Sequence, residues 1–174
     1  MAIILPYKGI YPKIADDAFV AENAVIIGDV EIGSRSNIWY NCVIRGDVQI
    51  IRIGNNTNIQ DGTIIHVTRG DGPTIIGSGI TIGHMALLHA CTLEDNCFIG
   101  MQSTIMDKAV VESGGMVAAG ALVTPGKRIP KGEIWGGNPA KFLRPMKQQE
   151  IDYIAISANH YVKLAEEYMK CGKS

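Results

Sequence analysis

Aliphatic residues at six-residue intervals constrain this chain more than any other feature. Val20, Ile26, Ile32, Ile38 and Ile44 form one phase of the repeat; Ile53, Ile59 and Ile65 a second; Ile76, Ile82 and Leu88 a third. Leu93, Ile99, Ile105, Val111, Val117, Val123 and Ile129 then run on without a shift. Two places before each of these 18 positions the residue is small (Ala, Ser, Thr, Cys, Gly or Val) in 15 cases, the exceptions being Ile51, Ile80 and Lys127. Glycine follows directly at Gly33, Gly54, Gly77, Gly83 and Gly100. Short repeats stack so that neighbours bury a shared core. Six residues are too few for a pair of helices but suit a short strand and a bend. Ile and Val favour strands, and small residues and glycine tolerate tight corners. Three such strands close one triangular coil, so 18 make about six coils.

This pattern resembles the hexapeptide-repeat proteins, which are left-handed parallel β-helices. The resemblance implies an all-β fold of about six to seven coils with a C-terminal α-helix. The handedness comes from the resemblance alone, because residue physics favours right-handed crossovers. Gly136-Gly137-Asn138-Pro139-Ala140-Lys141 ends the repeat, as Gly and Pro stop regular structure. Ile151, Ile154, Ala155, Ala158, Val162, Ala165 and Met169 then recur at three- and four-residue spacing, the mark of an amphipathic helix. The division expected is a β-helix over 1–145 and a packed helix over 146–174, within a single domain.

At 174 residues with a net charge of −1 and a pI near 6.4, the chain gives no reason to expect nucleic acid. Its apolar runs are too short to span a membrane, and Met1-Ala2-Ile3-Ile4-Leu5-Pro6 has no signal-peptide pattern. A cytoplasmic location is the default. Cys42, Cys91 and Cys97 occupy the small position two places before an aliphatic one and read as core packing; no CxxC occurs.

The chain holds four histidines, and three of them, His66, His84 and His89, fall inside the repeat. Three histidines with an open fourth position are a common shell for catalytic zinc. Stepping along the faces puts Ile44, Ile65 and Leu88 on one face in successive coils. Arg45, His66 and His89 therefore stack at one corner, about 4.8 Å apart. His84 follows Ile82 on a different face and points from another corner. A threefold trimer removes the mismatch by bringing His84 of one subunit beside His66 and His89 of the next. His160 reads as a surface residue.

Arg45-Gly46-Asp47, Asn58-Ile59-Gln60-Asp61-Gly62, Ile64-Ile65-His66, Ile82-Gly83-His84, His89 and Tyr161-Val162-Lys163-Leu164-Ala165-Glu166 together resemble the γ-class carbonic anhydrases, some of which carry a ferripyochelin-binding label that these residues do not support. The resemblance implies hydration of CO2 to bicarbonate at sites in the interfaces of a homotrimer, with zinc held by His66, His84 and His89. Iron or cobalt would suit imidazole equally. It gives Gln60 the task of orienting hydroxide or hydrogen-bonding bicarbonate, with Asn58 in the pocket and the Tyr161 hydroxyl near bicarbonate. Arg45, Asp47 and Asp61 are expected to be structural, with Asp61 pairing Arg45 across the interface. One departure stands out. The best-known active members carry an acidic loop whose glutamates move protons, whereas residues 67–75 here contain none, so proton removal is expected to depend on buffer. The alternatives are a metal-binding scaffold, an enzyme on another substrate such as a thioester, and a CoA-dependent acyltransferase.

Overall fold

The computed structural model describes residues 2–171. The chain forms a parallel β-helix with three faces, each crossed seven times, followed by one helix. The first face is built from Phe19–Val20, Asn37–Ile38, Asn58–Ile59, Thr81–Ile82, Phe98–Ile99, Met116–Val117 and Glu133–Gly136. The second and third faces merge into one sheet because Val25–Ile32 and Val43–Ile53 run unbroken round the corner between them. Elsewhere that corner is broken, and Ile64–His66 and Thr74–Ile76 are separate strands.

The repeat reads directly onto these ladders. On the second face Ile26 pairs in register with Ile44, Ile44 with Ile65, Ile65 with Leu88, Leu88 with Ile105 and Ile105 with Val123. All six side chains are fully buried, and each such burial stabilises by about 1.5–3 kcal/mol. The small residues two places earlier fill the corners of the core: Cys42, Ala86, Ser103, Ala109 and Ala121 are at most 1% exposed. Cys42, Cys91 and Cys97 lie within this core as thiols. Burial pushes Cys42 up to about 11 and Cys91 up to about 12, so neither ionises near neutrality.

Three details go beyond the sequence expectation. Ile3–Leu5 and Lys13–Ile14 before the readable repeat and Glu133–Gly136 after it add three strands to its 18, which makes seven coils, within the expected six to seven. Lys141–Pro145 turns back antiparallel on Glu133–Gly136 as the outermost strand of the first face. The helix, Gln148–Cys171, lies against the lower coils of the first face and buries Ile154, Ser157, Ala158, Val162 and Ala165. Ile151 and Ala155, expected on the buried stripe, are exposed, and Ser157 takes a place there. The inward arc is narrower than the spacing suggested, because Ile151 lies in the helix's first turn, outside it. The expected extension of the helix over 172–174 lies outside the described residues.

Candidate metal centre

Leu87–His89 pairs with Ile64–His66 so that His89 and His66 are direct register partners. The ladder therefore brings two histidines 23 residues apart to one corner, with ring centroids 5.3 Å apart. Each ring is held from behind by a carboxylate. His66 Nε2 lies 3.0 Å from Asp47 Oδ1, and His89 Nδ1 lies 2.7 Å from Asp107 Oδ1. Arg45 pairs with the other oxygen of Asp47, and Thr68 donates its hydroxyl to the other oxygen of Asp107. Burial alone would raise the Asp47 carboxyl, but its bonds to His66 and Arg45 outweigh this and hold it below the usual range. The Thr68 hydroxyl is the largest influence lowering Asp107; burial opposes it and His89 assists it. Both groups are therefore carboxylates that accept the ring N–H, which fixes the tautomer of each imidazole.

That tautomer assignment has a geometric consequence. The remaining nitrogens, His66 Nδ1 and His89 Nε2, face one another at 3.3 Å, each presenting a lone pair. They repel unless a cation lies between them, and the distance is long for a hydrogen bond. Two imidazole nitrogens at 2.0–2.1 Å from a tetrahedral ion are separated by about 3.3–3.4 Å. The donor chemistry and spacing fit a divalent transition-metal ion with two coordination positions still to fill.

His84 is at the corner between the first and second faces. Its Nδ1 lies 2.8 Å from Asp61 Oδ2, which leaves Nε2 available to a ligand. The sequence reading paired Asp61 with Arg45 across an interface; within the chain each has another partner, His84 for Asp61 and Asp47 for Arg45. Met85 and Ala90, directly after His84 and His89, both adopt left-handed backbone with φ of 59° and 47°. That conformation costs a residue with a Cβ roughly 1–2 kcal/mol, and it recurs one coil away at Gly62, Gln102 and Lys108, so it belongs to the corners of the fold. Among the described residues no three His, Cys, Asp or Glu side chains meet within one chain to hold a metal.

Beside His84 opens a cavity of about 360 Å³ between the first face and the helix. Gln60, Thr81, Phe98, Met101, Ser157 and Tyr161 are among the residues that line it. Gln60 is 5% exposed, and its Nε2 donates to Asn58 Oδ1 at 3.0 Å. Asn58 is fully buried and donates in turn to Thr81 Oγ1 at 2.9 Å and to the Ile80 carbonyl at 3.2 Å. Its amide is committed to holding Gln60 from within. Tyr161 packs edge-on against Trp39, with ring centroids 5.7 Å apart. Burial, and then the charge on Asp61, raise its hydroxyl pKa. His160 is exposed, as expected. A larger hollow of about 590 Å³ lies away from these groups on the third face, over the ion pairs of Lys13, Glu31 and Arg52.

Asp107 was missed in the sequence. The signal was there: it lies 18 residues, one regular coil, after His89 at the same corner. Ser157 and Thr81 were missed too, because nothing in the spacing of a helix shows which serine meets a threonine on a distant strand.

A family profile described as "Bacterial transferase hexapeptide (six repeats)" matches residues 3–46. "Gamma carbonic anhydrase 1, mitochondrial" of Arabidopsis thaliana is 53% identical over 162 residues, covering 90% of this chain and 59% of that one. The chain thus spans about three-fifths of the length of that plant relative. "Carbonic anhydrase" of Geobacillus kaustophilus is 43% identical over 166 residues, covering 95% of this chain and 91% of that protein. A solved structure, the hexapeptide transferase family protein of Anaplasma phagocytophilum, superposes with a TM-score of 0.93 at 51% identity, covering 95% of this chain and 98% of that one. On identity and coverage together, the chain belongs to the γ-class carbonic anhydrase family of hexapeptide-repeat proteins.

Proposed function

We propose that this protein hydrates CO2 reversibly to bicarbonate at metal sites shared between the subunits of a homotrimer. The observation that carries the reading is the pair of imidazole nitrogens facing each other at 3.3 Å, each ring pinned from behind by a carboxylate. His66 and His89 would supply two ligands, and His84 of a neighbouring subunit the third. The corners bearing His84 and His89 flank the same second face, whose outward side chains Ile64 and Leu87 are exposed and apolar. That surface suits association with another copy, and closing a threefold ring would bring the two half-sites together.

Zinc, when bound, supplies Lewis acidity that brings the pKa of a coordinated water to about 7. The chain's own residues do the rest. Asp47 and Asp107 keep the ring protons on the far side of His66 and His89, so the near nitrogens remain ligands. Asp61 does the same for His84. Gln60, held by Asn58, is placed to orient the attacking oxygen by a hydrogen bond. Phe98, Met101 and Tyr153 give the cavity apolar walls suited to a non-polar gas, and Tyr161 stands beside Gln60 for the bicarbonate oxygens. No glutamate lies in 67–75, so the proton leaves to a buffer molecule. A transferase reading draws on the name of the Anaplasma structure, but it leaves the facing histidines without a task.

Metal analysis together with stopped-flow CO2 hydration tests the proposal. About one transition-metal ion per chain, with a rate above the buffer background, supports it. A fully metallated protein no faster than buffer at any pH rejects it and leaves a metal-binding scaffold or an enzyme on another substrate.

A further inference from the structure

The hydrogen bonds behind Gln60 continue to the C-terminal helix. Gln60 Nε2 donates to Asn58 Oδ1 at 3.0 Å, Asn58 Nδ2 reaches Thr81 Oγ1 at 2.9 Å, and Thr81 Oγ1 lies 2.9 Å from Ser157 Oγ. All four side chains are at most 5% exposed. One contact sets the direction of both amides. Asn58 Nδ2 also points at the Ile80 carbonyl, 3.2 Å away, and a backbone carbonyl can only accept. The NH2 of Asn58 must therefore lie on that side, and its oxygen must face Gln60. Thr81 Oγ1 accepts from Asn58 and shares a further hydrogen bond with Ser157 Oγ. The bonds join Gln60 to the helix in one relay, an arrangement in which each bond strengthens the next.

The direction matters at the far end. With its NH2 turned inward to Asn58, Gln60 presents Oε1, an acceptor, to the cavity. We propose that Ser157 is a positioning residue: through its bond to Thr81 it lets the C-terminal helix hold Asn58, and with it the Gln60 amide, firmly in the orientation that the Ile80 carbonyl selects. Without the Ser157 hydroxyl, Thr81, 1% exposed, loses its partner on the helix. A buried hydroxyl left without a partner is costly. It is relieved by turning Thr81, which takes its oxygen away from Asn58 and loosens both amides. The helix, distant in sequence, thereby steadies the acceptor that Gln60 presents to the cavity.

This inference rests on the proposed function only for its kinetic consequence, so the test has two independent arms. In the first, the side-chain amide signals of Gln60 and Asn58 are followed by NMR in 15N-labelled full-length protein. Ser157→Ala is expected to shift both and speed their hydrogen exchange by roughly ten-fold, about what losing one buried hydrogen bond brings, and Ser157→Thr, which keeps the hydroxyl, is expected to restore them. In the second, Ser157→Ala is expected to lower kcat by about three- to ten-fold, with KM and bound metal unchanged, again restored by Ser157→Thr. Amide signals unmoved in Ser157→Ala overturn the relay. Moved signals with unchanged kcat overturn the positioning role. If the wild-type protein hydrates no CO2, the functional reading fails while the NMR comparison still decides for or against the relay.

Discussion

His89 shows how a single side chain gathers several demands: it pairs with His66 along the ladder, donates to Asp107 and turns a lone pair inward. Replacing it with alanine is expected to remove both bound metal and CO2 hydration. Gln60→Ala is expected to keep the metal and lose most of the rate, since Gln60 would act on the attacking oxygen. Metal content measured beside stopped-flow rates separates the two, and a Gln60→Ala protein at full speed would show that residue to be packing only. Asp107→Ala tests the support behind the ring. Removing a carboxylate that orients a ligating histidine weakens metal binding by about 10- to 100-fold, read by competition with a chelator; undiminished affinity would mean the ladder alone holds this corner. His66, His84 and His89 were legible in the sequence because histidine is scarce and the six-residue step puts each at a corner. Asn58's inward direction was not, since a corner amide reads the same whether it faces a pocket or a core.

The rungs and the helix depend on different features of the sequence. Most rungs take a small partner: Ala109 is fully buried beside Val111, itself fully buried. Ala109→Leu is expected to destabilise the protein by roughly 1–3 kcal/mol through overpacking, and an unchanged denaturation midpoint would show that the corner has spare room. The first turn of the helix holds Glu150, which accepts the Lys147 backbone N–H at 2.8 Å and pairs in two bonds with Arg144. The Arg144 guanidinium, then that N–H, pull Glu150 down to about 2. Because the folded pKa is the lower one, this support is present above the ordinary glutamate range and is lost as pH falls toward 2. Protection of the helix-end amides, measured against their intrinsic exchange rate, should therefore fall on acidification in the native protein and be flatter with pH in Glu150→Gln; identical profiles would remove Glu150 from the account. The rungs could be read because 15 of the 18 repeat the same small–aliphatic pair. The strand Lys141–Pro145 could not, since its side chains are all exposed and no burial pattern marks it. Nor could the continuous bends of Val25–Ile32 and Val43–Ile53, where Gly28 and Gly46 pass so closely that a Cβ on Gly28 would meet the Gly46 oxygen at 2.3 Å.

The whole molecule divides the proposed site between two corners of one face, so no subunit completes it alone. Mixing a His84→Ala chain with a His66→Ala chain is expected to regenerate some intact metal sites, because a mixed trimer can join a good corner from each parent. Each variant by itself should have none. Sedimentation of a metal-loaded monomer, or a mixture with no regained metal, would count against shared sites. The antiparallel end strand also bears on the molecule as a whole. A stack of like-directed rungs has no internal reason to stop, and the last rung of one copy is an edge on which the first rung of another can continue. Lys141–Pro145 reverses the chain direction at that edge and carries a proline and two cations, Lys141 and Arg144, features that discourage further pairing. A seven-coil solenoid is thereby kept from growing lengthwise into a fibre.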